Sequence, residues 1–138
     1  MASGAYNEGI NAIGDGSIDF LTNTIKVLLI NSAYVYDPDH SFVSDVVANE
    51  VAGATRQTLG TKTVTKDDVN NRSVFDGANS TFPAVAAGPT VGGAIVFYDT
   101  GVDATSILLA FLDTADTPTN GGDIVIQWNA NGIFYGQI

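Results

Sequence analysis

Apolar residues recur along this chain at two different periods, and the change from one to the other sets its organisation. Near the start, Tyr6, Ile10 and Ile13 stand four and three residues apart, which predicts one face of a short helix over Ala5 to Ile13. Gly9 weakens that helix, and Gly14-Asp15-Gly16 ends it. Ser17 to Leu21 reads as a short strand or a turn. Thr24 to Ile30 is β-branched and almost continuously apolar, the pattern of a central strand closed by Asn31 and Ser32. Tyr34-Val35-Tyr36 suits a short edge, and Asp37-Pro38-Asp39-His40 a turn. Phe42, Val43, Val46 and Val47 then follow helical spacing, with Asp39 or Ser41 as N-cap.

From Ala54 to Thr65 the pattern changes to Thr and Val alternating with polar residues, a long and thinly apolar hairpin or edge strand. Asp67 to Asn71 reads as a turn. Arg72 to Asp76 and Ser80 to Val85 make two short strands, with Gly77-Ala78-Asn79 between them. The clearest strands come last: Gly93 to Tyr98, Ser106 to Leu112 ending at Asp113, and Asp123 to Trp128. The last leads through Asn131-Gly132, a strong hairpin dipeptide, into Ile133-Phe134-Tyr135. Strands at roughly ten-residue intervals with turns between them predict a mostly β chain, an antiparallel sandwich or a barrel-like, jelly-roll-like fold. One or two short helices fall in its N-terminal half. No βαβ rhythm, heptad or internal repeat divides residues 1–138, so a single domain is expected, with residues 1–6 as a flexible N-terminal arm.

Composition sharpens this picture. Charged residues make up only 14% of the 138, and the net charge of −10 is carried almost wholly by Asp, since Glu8 and Glu50 are the only glutamates. Asp favours turns and helix N-caps over strands, so an Asp-rich, Gly-rich chain implies many turns. The acidic balance argues against nucleic acid and against anionic membranes, both of which need clustered cations. Arg56, Lys62, Lys66 and Arg72 fall in one stretch and only Lys26 lies outside it, which suits either a solvated hairpin or pairing with an acidic patch on another copy. There is no cysteine, so core packing alone must hold the fold. The N-terminal residues show no signal peptide, and the longest apolar run, Ile107 to Leu112, is too short to span a bilayer.

Candidate chemistry is sparse. The single histidine, His40, stands beside Asp37 and Asp39, but a catalytic zinc would want further His or Cys, and a turn capped by its Asp residues explains the cluster better. A Ser-His-Asp triad would have to use His40, and no nucleophile-elbow motif presents a serine. Gly88-Pro89-Thr90-Val91-Gly92-Gly93 lacks the lysine and the strand-to-helix context of a phosphate loop and reads as a tight turn. Asp113 with Asp116, or Asp15 with Asp19, are possible carboxylate pairs. Asp113 to Asp116 and Asn120 to Asp123 are the loops a calcium ion would choose, without an EF-hand pattern. Turn roles account for all of them, and neither metal nor cofactor is expected. Phe97, Tyr98, Phe111, Trp128, Phe134 and Tyr135 alternate along strands, so one set fills a core and the other lies on a face.

Several phrases carry a resemblance. Gly16-Ser17-Ile18-Asp19-Phe20 is followed by Asn23 through Ile30, Tyr34 through Asp45, and Asn49-Glu50-Val51. Later come Lys62 to Thr65, Val74 to Gly77, Gly93 to Thr100, and the ending Gly121 through Phe134. This layout, over nearly the whole chain, resembles a group of small virion structural proteins of tailed bacteriophages. The resemblance implies a non-enzymatic virion protein made in the host cytoplasm. Within the virion it implies a capsid decoration or cement protein that sits on the major capsid protein lattice and stabilises the head. A homo-oligomer is implied, a trimer before a dimer. A tail or head–tail connector component is the alternative. A carbohydrate-binding β-sandwich module using aromatics such as Tyr34 and Tyr36 is another. The expected partner-binding surface joins the thinly apolar Thr55 to Thr65 segment with the N-terminal arm, and its residues are Ala2, Tyr6, Arg56, Lys62 and Lys66.

Overall fold

A computed structural model describes residues 3–137, with the side chain of Gln137 left aside; Met1, Ala2 and Ile138 lie outside the described residues. Its strands are β1 (Gly4–Ala5), β2 (Ile25–Asn31), β3 (Gln57–Thr58), β4 (Thr63–Asp67), β5 (Arg72–Asp76), β6 (Ser80–Phe82), β7 (Thr90–Tyr98), β8 (Ile107–Pro118), β9 (Ile124–Ile126) and β10 (Phe134–Gln137). One helix, α1 (Asn7–Gly14), follows β1. The strands form an antiparallel five-stranded sheet in the order β1-β8-β7-β2-β3, a three-stranded sheet β10-β5-β4 and a two-stranded sheet β6-β9. The chain is thus mostly β, layered as a sandwich, with no sheet closed into a barrel.

The five-stranded sheet is covered on both faces, which is why β2, β7 and β8 read as continuous apolar runs without alternation. On one face Ile25, Val27, Leu29, Ala94, Val96 and Ala110 pack with Ala12 of α1, with Phe82 and Ile126 of the two-stranded sheet, and with Phe134 of the three-stranded sheet. On the other, Leu28, Ile30, Ile95, Phe97, Leu108 and Phe111 pack with Tyr6, Tyr34, Val43 and Val46. A bulge in β8 reconciles the two sides. Val96 faces Ala110 while Phe97 faces Leu108, so Leu109 is the extra residue. That insertion lets Leu108 and Phe111, three apart, reach the same face, while Leu109 joins the opposite core.

Gly92 and Gly93 lie within β7 and are not a turn. A Cβ on Gly93 would stand 2.7 Å from the Phe111 ring and press on the Leu112 carbonyl; one on Gly92 would stand 2.6 Å from Ser32 Cα. The tight turn is upstream, where Gly88 has φ +144°. Opposite Gly92 the partner strand is irregular: Val91 faces Thr117 and Gly93 faces Asp113. β8 therefore continues past Asp113, where the sequence predicts its end.

Three further expectations are corrected. Tyr34 to Tyr36 forms no strand; Tyr34 is buried and Tyr36 stacks on Phe111, with centroids 5.6 Å apart. Phe42 to Val47 forms two 3-10 turns, Val43–Asp45 and Val47–Asn49, and no α-helix. The Asp45 carboxylate caps the first by accepting the Ser41 and Phe42 amides at 2.9 and 3.0 Å, so neither Asp39 nor Ser41 caps it. Asn131-Gly132 turns the chain, with Gly132 at φ +99°, but it joins strands of different sheets and makes no hairpin.

Candidate functional site

The N-terminal segment is not an arm from Ser3 onward. Gly4 and Ala5 pair with Phe111 and Ala110, and Ser3 Oγ accepts the Asp113 amide at 2.9 Å. Tyr6 is fully buried, its hydroxyl 2.9 Å from that of Tyr34, which lies 3.1 Å from His40 Nδ1. Burial and this hydrogen bond hold the Tyr6 phenol far above its ordinary pKa. Tyr6 is a core residue and offers nothing to a partner, while Ala2 lies outside the described residues. Tyr34 is buried and the half-buried Tyr36 stacks on Phe111; both line an open pocket with Asp37 and His40.

Of the basic cluster, Arg56 works inside the protein. Its guanidinium is bidentate to Glu50 (2.7 and 2.8 Å), bonds Asp103 at 2.7 Å, and lies 5.5 Å from the Phe97 ring centroid. These carboxylates push the guanidinium pKa up and, in return, hold the Asp103 carboxyl below its ordinary value. Lys62 donates to the Asn23 carbonyl. Lys26 pairs with Asp99 at 2.8 Å, and Arg72 pairs with Asp67 at 2.9 Å while lying over the Tyr135 ring. Lys66 pairs with Asp68 at 3.0 Å, but both are about three-quarters exposed, so this pair is weak. Each of the five cations therefore has a partner within the chain, and the sequence cluster is not one basic patch.

Of the carboxylates weighed for chemistry, Asp113 and Asp116 stand within β8 and form no loop, while four others serve turns. Asp15 accepts the Ser17 amide, Asp19 the Leu21 amide, Asp37 the Asp39 amide and Asp123 the Ala84 amide. Among the described residues no group of three or more His, Asp or Glu is placed to hold a metal ion. An open cleft of about 440 Å³ lies between β1 and β10, but Arg72, the charged residue lining it, is committed to Asp67.

Of the edge strands, β4 is the most exposed. It is the edge of the three-stranded sheet, and every side chain on it is exposed except the half-buried Asp67, so neither face of this strand is covered. The hairpin turns through residues 68–71, where Asn71 takes φ +53° and Asp67 accepts the Asn70 amide. Val69 at the tip is 90% exposed and Val64 is 40% exposed. The base is anchored by aromatics: Phe75 stacks on Phe134 with centroids 4.5 Å apart, and Phe20 meets both edge-on. The result is a rigidly rooted hairpin with an unpaired outer edge. Of the expected surface it carries Val64, within the Thr55 to Thr65 segment, and Lys66, and Lys62 directly precedes it; Asp68 and Val69 were missed, because alternation marks an edge strand without marking its tip.

Family models, curated proteins and solved structures were compared with this chain, and none matches it. No described helix is long and apolar enough to cross a membrane.

Proposed function

We propose that this protein is a non-enzymatic structural component of a tailed-phage virion. In this reading it is a capsid decoration or cement protein that docks on the major capsid protein lattice and stabilises the head. The observation that supports this most is the open β4 edge on a body whose aromatic clusters and cations are satisfied internally. An exposed edge with flanking side chains is a ready means of strand addition between proteins. The acidic body, with a net charge of −10, keeps free subunits and decorated particles apart in solution.

The test is antibody–gold labelling of the particle fraction from a lysate of the strain encoding the chain, viewed by negative-stain electron microscopy. Gold distributed over heads is the expected result. Gold confined to tails or necks would replace decoration with a tail or connector role, and unlabelled particles would end the virion reading.

A further inference from the structure

Of the three registers centred on the middle of β4, its open edge is close to self-complementary in one. We propose that its partner is a second copy of this chain, β4 pairing antiparallel with β4 about a twofold axis through Thr65. The two three-stranded sheets would then join into one of six strands. This rests on reading the open edge as a protein-docking site and makes it the contact between subunits, so that the capsid lattice would meet another face of the body.

The argument is one of register. A twofold axis normal to a sheet keeps each face on its own side, so facing residues share parity and the axis passes through a residue. Near the middle of β4 that residue is Val64, Thr65 or Lys66. An axis through Val64 sets Lys62 opposite the partner's Lys66, twice. An axis through Lys66 sets that lysine opposite itself. Like charges directly across a strand pair destabilise it. The axis through Thr65 avoids both. Thr65 meets its own copy, a favourable cross-strand pair, and Val64 meets the partner's Lys66, whose aliphatic stem can cover the exposed valine. Just beyond the strand, Lys62 comes opposite the partner's Asp68, at both ends by symmetry. Edge lysines ordinarily block pairing; here Lys66 blocks two registers and permits the third. Access is free, because neither face of β4 is covered by the body.

The chain has no cysteine, so Thr65→Cys introduces a single thiol on the proposed axis. Facing residues of an antiparallel pair have Cα atoms about 4.5–5.5 Å apart, within disulfide reach. Under mild oxidation Thr65→Cys should form a covalent dimer roughly ten-fold faster than Val64→Cys or Lys66→Cys. The unmodified protein should show twice the 14.3 kDa of one chain by light scattering at high concentration. Asp68→Lys, which sets cations opposite Lys62, should weaken the dimer by roughly ten-fold. A monomeric mass, or faster cross-linking of Val64→Cys or Lys66→Cys, overturns the proposal. Dimers without particle labelling would leave self-pairing standing and remove the virion role. Labelled heads with a monomeric chain would do the reverse.

Discussion

Removing the Arg56 guanidinium should be among the more costly single changes at the edge of this molecule. Arg56→Met keeps the aliphatic stem over Phe97 but strands Glu50, whose side chain is only 17% exposed and which also makes a β-bridge to Ile30. Breaking a buried pair by deleting one partner costs about 3–5 kcal/mol. The Arg56 side chain is 25% exposed and that of Asp103 41%, so solvent screens part of the interaction and lowers the expectation. A loss of about 2–3 kcal/mol follows for two charge-assisted contacts in this setting. For a domain of this length that is a melting temperature lower by about 6–12 °C. Urea unfolding followed by Trp128 fluorescence measures it. A second arm separates coupling from simple truncation: in a Glu50→Gln background, Arg56→Met should cost about 1 kcal/mol less than in the parent. A loss under about 0.5 kcal/mol for Arg56→Met would place this cluster with ordinary surface ion pairs and refute the reasoning.

Gly93→Ala should cost about 2–3 kcal/mol, because its methyl meets the Phe111 ring and the Leu112 carbonyl across a ladder that cannot spread. Gly14→Ala, where a Cβ meets nothing within 4 Å, should be neutral or slightly stabilising; equal urea midpoints for the two variants would refute the close-approach argument. Acid should destabilise the fold through carboxylates held below their ordinary pKa: Asp45 by the Phe42 and Ser41 amides, Asp99 by Lys26, and Asp103 by Arg56. Folded values below unfolded ones mean that this stability is fully present above about pH 4–5 and is lost as pH falls through the folded values. Melting temperature scanned downward should hold steady, aided by relief of the acidic self-repulsion, and then drop below about pH 4; a flat or rising curve there contradicts the assignment.

Local signals in the sequence were read correctly where the structure is local. β5 has the predicted bounds, Arg72–Asp76, because polar turns stop it on both sides. β2 and the body of β7 follow from apolar runs; α1 forms where expected, but it buries Gly9 and Ala12 and leaves Ile10 exposed, so the spacing of Tyr6, Ile10 and Ile13 did not mark its packed face. Errors gather where a distant partner decides the outcome. Nothing adjacent to Tyr6 marks it as buried, since its hydroxyl partner is Tyr34 and its cavity is made by β2, β7 and β8. Val43 and Val46, three apart, satisfy a 3-10 turn as well as an α-helix, so spacing cannot separate the two. Asn131-Gly132 has the backbone of a turn, but β10 finds its mate in β5, far back in the chain. The candidate site was half legible. Thr63 to Lys66 alternates as an edge strand should, whereas the withdrawal of Arg56 into an ion-pair cluster depends on Asp103 in a separate loop.

The pairing of β2 with β7 also governs how this chain must be made. Asn31 waits for Val91 and Ile25 for Tyr98, so 60 to 73 residues must follow before the central ladder can close. At about 5–20 residues per second, that leaves an apolar strand without its mate for roughly 3–15 s during translation. For that interval Ile25 to Ile30 is the stretch a nascent-chain chaperone would hold, and fast synthesis shortens the time in which a neighbouring ribosome's copy could capture it.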